Sequence, residues 1–316
     1  MEYRKLGNSG LRVSQLSFGS WVTFGKQMDV NPVKECLKYA FDHGINFFDN
    51  AEVYANGQSE TIMAEAFQQL GLSRNEYVLT TKFFWGIEDR VNFKNTLNRK
   101  YLMQAIDNSL KRLKTSFVDV AYCHRYDPET PIEEICFAMD QMIRDGKALY
   151  WGTSEWPATA IDQAYDFAVT NGLHRPIVEQ PQYNLIEKNK VEKEFAPLYK
   201  KMKLGLTIWS PLASGMLTGK YLTGIPQDSR ANLSSMGWIK DEITNPANVA
   251  KVEKLKKVSD QSGISMTHLA LGWCTLNPNV STVILGASRL EQLKTNLDVL
   301  TKLNQIRDLK KELDAI

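Results

Sequence analysis

Short apolar, β-rich runs alternate with amphipathic stretches along almost the whole chain. The runs cover residues 15–21, 45–49, 77–82, 117–124, 148–153, 176–180, 205–210 and 281–286. Most are continuously apolar or β-branched, the pattern of strands buried on both faces of a parallel sheet. Between them apolar residues recur at helical spacing. Asn31-Pro32 opens one helix, with Asn as the cap and Pro at the first position, and Gly44 stops it. A capping-box spacing, Thr130 to Glu133, opens another that ends at Gly146. Further helices are predicted over 59–70, 100–113, 157–172, 188–202, 247–262, 265–276, 290–300 and 304–314.

Eight strands alternating with helices imply an α/β fold, and right-handed crossovers make the sheet parallel. Eight is also the number that closes a barrel. The expected architecture is therefore a (β/α)8 TIM barrel spanning 1–316 as a single domain, with an open doubly wound sheet as the rival. Residues 1–14, turning at Gly7-Asn-Ser-Gly10, are expected to form a β-hairpin that caps the barrel floor. Residues 212–247, after the seventh strand, are too long for an ordinary βα connection and are expected to act as a clamp or lid.

Composition narrows the function. Of 316 residues 43% are hydrophobic and 23% charged, with a net charge of +2. Such a balance gives no electrostatic reason for a nucleic-acid or membrane-surface partner. Met1–Lys5 lacks the apolar core of a signal peptide, and no apolar stretch approaches the roughly 20 residues of a membrane span. Cys36, Cys123, Cys136 and Cys274 show neither CxxC pairing nor zinc-ligand spacing. The expectation is a cytoplasmic protein with four reduced thiols in or near the core, no metal and no membrane insertion.

The chemistry sits at the strand ends. In order they finish on Gly19-Ser20, Asp49, Lys82, His124, Ser154, Gln180, Ser210 and Gly286-Ala-Ser288. In a barrel these ends converge on the face where active sites lie. Asp49, Lys82 and His124 each close an otherwise apolar run, so each must be paired or solvated in a cleft. Tyr54 follows Asp49 by five residues and hangs over the same mouth. Reducing a carbonyl needs a hydride donor and a proton for the oxygen. A tyrosine with a pKa near 10 is a weak acid at neutral pH, and a nearby ammonium stabilises its phenolate. Lys82 can supply that charge, Asp49 can hold Lys82 charged and aimed, and His124 can orient the carbonyl. His43, at a helix end, suits the helix dipole. His174 and His268 show no polar set around them. No GxGxxG follows a strand, and Gly215-Met-Leu-Thr-Gly-Lys220 is one residue too short for a P-loop.

Several motifs together resemble the aldo-keto reductases, in the branch of the voltage-gated potassium channel β subunits and their plant and bacterial relatives. They are Tyr3-Arg-Lys-Leu-Gly7, Gly19-Ser-Trp-Val-Thr-Phe-Gly25, Gly44-Ile-Asn-Phe-Phe-Asp-Asn-Ala-Glu-Val-Tyr54, Thr80-Thr-Lys-Phe-Phe-Trp-Gly86, Tyr150-Trp-Gly-Thr-Ser154, Trp209-Ser-Pro-Leu-Ala-Ser-Gly215 and Gly286-Ala-Ser288. The resemblance spans essentially the whole chain. It implies a catalytic tetrad of Asp49, Tyr54, Lys82 and His124, with NADPH/NADP+ extended across the barrel mouth without a Rossmann loop. It implies that Ser154 and Gln180 bond the nicotinamide carboxamide and Trp209 stacks on its ring, with Glu155 beside them. Ser210, Pro211, Leu212, Ala213, Ser214 and Gly215 would follow the pyrophosphate, and Lys220 and Arg230 would close over the phosphates. Gly286, Ser288, Arg289, Gln292 and Asn296 would hold the adenosine end, Arg289 suiting a 2′-phosphate. Ser20, Trp21, Gln27 and Asp49 would lie near the nicotinamide, and Trp21, Tyr54, Trp85 and His124 near the substrate. Two positions depart from the pattern. Mammalian channel β subunits carry Asn where this chain has His124, and many members carry Asn at Glu155, which when ionised accepts but cannot donate. The resemblance implies a reductase of aldehydes and ketones, with a channel-associated redox-sensing accessory protein as the alternative. A homotetramer and a potassium channel partner follow by analogy only.

Overall fold

The computed structural model describes residues 1–25, 27–227, 229, 231 and 237–316. Two short strands, β1 (Tyr3–Lys5) and β2 (Arg12–Ser14), form an antiparallel hairpin. Eight parallel strands then close a barrel: β3 (Leu16–Gly19), β4 (Phe47–Asp49), β5 (Val78–Phe83), β6 (Val118–Cys123), β7 (Ala148–Ser154), β8 (Val178–Gln180), β9 (Gly205–Ile208) and β10 (Val280–Leu285). β10 pairs with both β3 and β9, so the sheet has no free edge. The expected TIM barrel and its hairpin are both present.

The helices flank this cylinder. They are α1 (Val30–Asp42), α2 (Gln58–Leu70), α3 (Arg99–Leu113), α4 (Ile132–Arg144), α5 (Ala158–Thr170), α6 (Ala196–Met202), α7 (Trp238–Thr244), α8 (Pro246–Ser262), α9 (Met266–Thr275), α10 (Leu290–Asp298), α11 (Leu303–Asp308) and α12 (Lys310–Asp314). Several expected signals act as read. Gly71 and Gly263 end α2 and α8 in the left-handed conformation, and Ser265 caps α9 by accepting from His268 N–H. Others do not. Helix α1 starts before Pro32, which sits in the first turn, where a missing N–H costs nothing. The Thr130–Glu133 box does not form, because Thr130 Oγ1 donates instead to Asp127 at 2.6 Å and Pro131 takes the cap position. The stretch 188–202 divides into a π turn (Lys190–Glu194) and α6, and 304–314 divides into α11 and α12.

Strand periodicity sorts the residues into two cores. Leu79, Phe83, Ala121, Cys123, Leu206, Ile208, Val283 and Leu285 face outward and pack against the helices. The alternate positions Phe47, Val78, Val120, Tyr122 and Val178 face inward and, with Leu6 and Val13 of the hairpin, fill the lower barrel. The hairpin closes that floor tightly. A Cβ on Gly205 would lie 2.3 Å from Gly7 N, so neither backbone could carry a side chain there. Continuing the inward rows upward by two residues reaches Asp49, Thr80, Lys82, His124 and Gln180. The barrel is apolar below and polar at the C-terminal mouth. All four cysteines are buried, and among the described residues no helix is long and apolar enough to cross a membrane.

Candidate functional site

Three of the strand-end residues and Tyr54 meet at the mouth. Lys82 is fully buried and its Nζ donates to Asp49 Oδ2 at 2.6 Å, to the Asn50 carbonyl at 2.8 Å and to Tyr54 Oη at 3.2 Å. Asp49 Oδ1 accepts from Thr80 Oγ1 at 2.8 Å and Gln180 Nε2 at 3.0 Å, so both its oxygens are satisfied. The Tyr54 and His124 rings meet edge to face at 5.8 Å, and Trp85 meets His124 at 4.5 Å. Tyr54 stands on a 3₁₀ turn whose next two residues, Ala55 and Asn56, are left-handed. That turn folds the phenol back over Lys82.

Burial sets the protonation states. Burial is the largest single effect and opposes the Lys82 ammonium, but the charges and hydrogen bonds of Asp49 and Tyr54 together more than offset it and hold the Lys82 pKa above its ordinary value. For Tyr54 burial is the larger effect and raises its pKa, against the stabilising pull of Lys82. The ammonium therefore does not bring the resting phenol down toward neutrality, contrary to the simple charge argument. Instead Tyr54 stays protonated, as a proton donor must. His124 is pushed well below its ordinary range, first by burial and then by Lys82 and Arg125, so its imidazole is neutral. Its Nδ1 is buried without a partner. The tautomer protonated at Nε2 leaves only an acceptor unpaired there, the cheaper deficit.

These groups open on a cavity of about 1530 Å³, larger than the 300–1,000 Å³ usual for small-ligand pockets. Among the residues that line it are Trp21, Gln27, Tyr54, Trp85, His124, Ser154, Gln180 and Trp209. The wall continues through Ser210, Pro211, Leu212, Ser214 and Gly215 to Lys220, then Gly286, Ser288, Arg289, Gln292 and Asn296. Trp21 and Trp209 meet edge to face at 5.7 Å. Ser210, Ala213, Ser214 and Gly215 all have positive φ, a left-handed run that bends the chain around the cavity. At Gly215, φ is 96° and Lys220 Cε fills the space of a Cβ at 2.6 Å.

Four expected site residues lie behind this wall. Lys82 is fully buried and does not line the cavity, whereas its partners Asp49 and Tyr54 do. Ser20 Oγ is buried and donates to the Asp49 carbonyl at 3.0 Å, and Ala213 is buried in the turn after β9. Glu155, left-handed at φ 58°, turns its carboxylate away to accept from the Gln182 N–H, from Trp209 Nε1 at 2.9 Å and from Lys190 Nζ at 2.8 Å. Arg230 lies outside the described residues. Away from the site, His43 Nδ1 pairs with the Tyr39 carbonyl at 2.8 Å, as its helix-end position predicts. His174 and His268 do have polar partners: His174 Nδ1 meets Asp140 at 2.7 Å, and His268 Nε2 meets the Thr295 carbonyl at 2.9 Å. Neither partner is close in sequence.

Sequence reasoning passed over Arg125, which lines the cavity, and Glu179, a buried carboxyl that acts on Arg125 electrostatically. Arg125 lines the cavity beside His124, its guanidinium 4.7 Å from the Trp85 ring centre. Glu179 is fully buried and burial pushes its pKa up to about 8. One signal was available, since Arg125 extends a strand end already marked by His124.

Comparison with known proteins matches residues 15–312 to the aldo/keto reductase family model. The chain belongs to the aldo/keto reductase family. A rice (Oryza sativa subsp. japonica) protein named a probable voltage-gated potassium channel subunit beta is 50% identical over 301 residues, 95% of this chain and 91% of the relative. An Arabidopsis thaliana protein of the same name is 51% identical over 298 residues, 94% and 90% of the two chains. A Schizosaccharomyces pombe protein named for the same subunit is 43% identical over 319 residues, 99% and 92%. Membership of this family supports an oxidoreductase.

Proposed function

We propose that this protein is an NADPH-dependent reductase of aldehydes and ketones in which Tyr54 donates the proton. The observation that carries the reading is the buried chain from Asp49 through Lys82 to Tyr54, 2.6 and 3.2 Å long in its two links, opening into one large cavity. When bound, NADPH would supply the hydride to the carbonyl carbon. As charge builds on the carbonyl oxygen, the Tyr54 proton passes to it and the Lys82 ammonium stabilises the phenolate left behind. Asp49 keeps Lys82 charged and aimed. Neutral His124 donates from Nε2 to the same oxygen and orients it.

The cavity's chemistry suits such a cofactor. Ser154 Oγ donates to the Gln180 carbonyl and Gln180 Nε2 to Asp49, so toward the cavity both side chains remain as acceptors, matched to a carboxamide NH2. Trp209, held by Glu155, offers a flat face. At the far end Lys220, Arg289, Ser288, Gln292 and Asn296 would take the phosphates and adenosine, with Arg289 at the N-terminus of α10. Glu155 then acts on the cofactor through Trp209 and makes no contact of its own.

The test is NADPH consumption with an aromatic aldehyde. Tyr54→Phe is expected to lower kcat by about 10²- to 10⁴-fold, the range of general-acid catalysis, with NADPH affinity by fluorescence titration unchanged. Unaltered turnover in that variant removes Tyr54 from the mechanism. The names of the relatives favour a second reading, a subunit docked on a potassium channel that uses its cofactor as a redox signal. Co-purification with a membrane channel, with negligible turnover on a broad aldehyde panel, would favour that reading over the first.

A further inference from the structure

The proposed reduction makes no use of Arg125, although its cation stands at the reacting end of the cavity. The guanidinium lies 4.7 Å from the Trp85 ring centre, and that ring is 4.5 Å from the His124 ring. Among the described residues only Nη1 is engaged, donating to the His124 carbonyl and, at 3.4 Å, to Ser154 Oγ. Nε and Nη2 make no hydrogen bond to a described residue, and none of the ion pairs among those residues includes Arg125. Glu155 and Glu179 act on it through space, but neither forms an ion pair or hydrogen bond with it among the described residues. Glu155 is held by Lys190 at 2.8 Å, and Glu179, with a pKa near 8, is mostly neutral at pH 7. A guanidinium drawn partly out of water with no carboxylate in direct contact is costly unless a ligand supplies one.

We propose that Arg125 makes this pocket selective for carbonyl substrates that carry a carboxylate, bound by the guanidinium while Tyr54 and His124 hold the carbonyl oxygen. The unused Nε and Nη2 form one edge of a planar fork, the geometry that takes a carboxylate through two parallel hydrogen bonds. Stacking on Trp85 keeps that fork oriented. In the proposed arrangement the cofactor's phosphates lie at the Lys220 and Arg289 end, which leaves Arg125 for the substrate. This inference rests on the reductase reading for its kinetics but not for its binding chemistry.

The experiment compares 4-carboxybenzaldehyde with 4-nitrobenzaldehyde, of similar shape but only the first anionic, in the wild type, Arg125→Gln and Arg125→Lys. Arg125→Gln is expected to lower kcat/KM for the carboxylate about 10- to 100-fold more than for the nitro compound, the range of one charge-assisted interaction. The loss should fall mainly in KM, with Arg125→Lys intermediate. Equal losses for the two aldehydes overturn the proposal. If the wild type oxidises NADPH with neither, the reductase reading fails by itself, and calorimetry still decides the role of Arg125. In that case the wild type with NADP+ should bind benzoate at least 10-fold more tightly than benzamide, with the difference lost in Arg125→Gln and reduced in Arg125→Lys. Indistinguishable affinities in the wild type overturn the proposal.

Discussion

Asp49→Asn separates the two contributions of the buried pair, because it removes a charge while keeping the shape. In the wild type one carboxylate faces three donors: Lys82 Nζ at 2.6 Å, Thr80 Oγ1 at 2.8 Å and Gln180 Nε2 at 3.0 Å. An amide has one oxygen and one NH2, so in either orientation a donor faces a donor. More important, the Lys82 ammonium stays fully buried without its counter-charge. Removing one partner of a buried pair costs about 3–5 kcal/mol, a large part of the roughly 5–15 kcal/mol by which domains are stable. Burial, no longer opposed by Asp49, would then press the Lys82 pKa below its ordinary value.

The pH dependence reverses accordingly. In the wild type the folded Lys82 pKa is raised. Its contribution is thus fully present below the unfolded value near 10.4 and is lost as pH rises through the folded one. In Asp49→Asn the folded pKa is depressed. The unfolded chain then binds more protons between the two values, and stability rises with pH across that window. Urea unfolding from pH 6 to 10 should show a gap of about 3–5 kcal/mol at pH 6 that narrows toward pH 10. Adding Lys82→Met should recover most of the loss, since apolar replacement of a whole buried pair is often neutral. A gap that stays constant with pH, or a double variant no more stable than Asp49→Asn, would refute the electrostatic account.

Two other consequences are open to measurement. With Tyr54 held above its ordinary pKa and His124 well below, kcat/KM for reduction should be flat from about pH 6 to 9 and fall only as the phenol titrates, above the ordinary tyrosine range. An inflection near pH 6.5 that disappears in His124→Asn would contradict the neutral imidazole. On the outer face of the barrel, Glu60 is fully buried and takes Arg112 Nε at 2.6 Å. Burial and Glu60 raise its neighbour Glu52 to about 8. Arg112→Met strands the Glu60 charge and should cost about 3 kcal/mol in urea unfolding, the low end for a buried pair because Arg112 is partly exposed. Adding Glu60→Gln should restore most of it, and a single-variant loss below about 1 kcal/mol would count against that pairing.

What the sequence made legible follows from which forces are local. Barrel closure could be counted, because each strand is a run of buried residues and each helix ends on a nearby Gly or cap. Three of the candidate residues, Asp49, Lys82 and His124, were legible for a less obvious reason. Asp49 shares strand parity with Phe47, Lys82 with Thr80 and Val78, and His124 with Tyr122 and Val120, so residues that look like interruptions at the ends of apolar runs must point inward together. Signals that depend on distant partners stayed hidden. Thr130 had a capping partner three residues away, but Asp127 took its hydroxyl instead. Glu155 read as a poor substitute for an amide until Lys190, Gln182 and Trp209 were brought to it by two other strands' loops. Arg125 was passed over, since nothing nearby in sequence announces the Trp85 ring beside it. The local pattern shows where charge leaves the core. Whether that charge is already spent inside the chain depends on the closed barrel, and at this mouth Lys82 is spent on Asp49 while Arg125, among the described residues, retains unbonded donors.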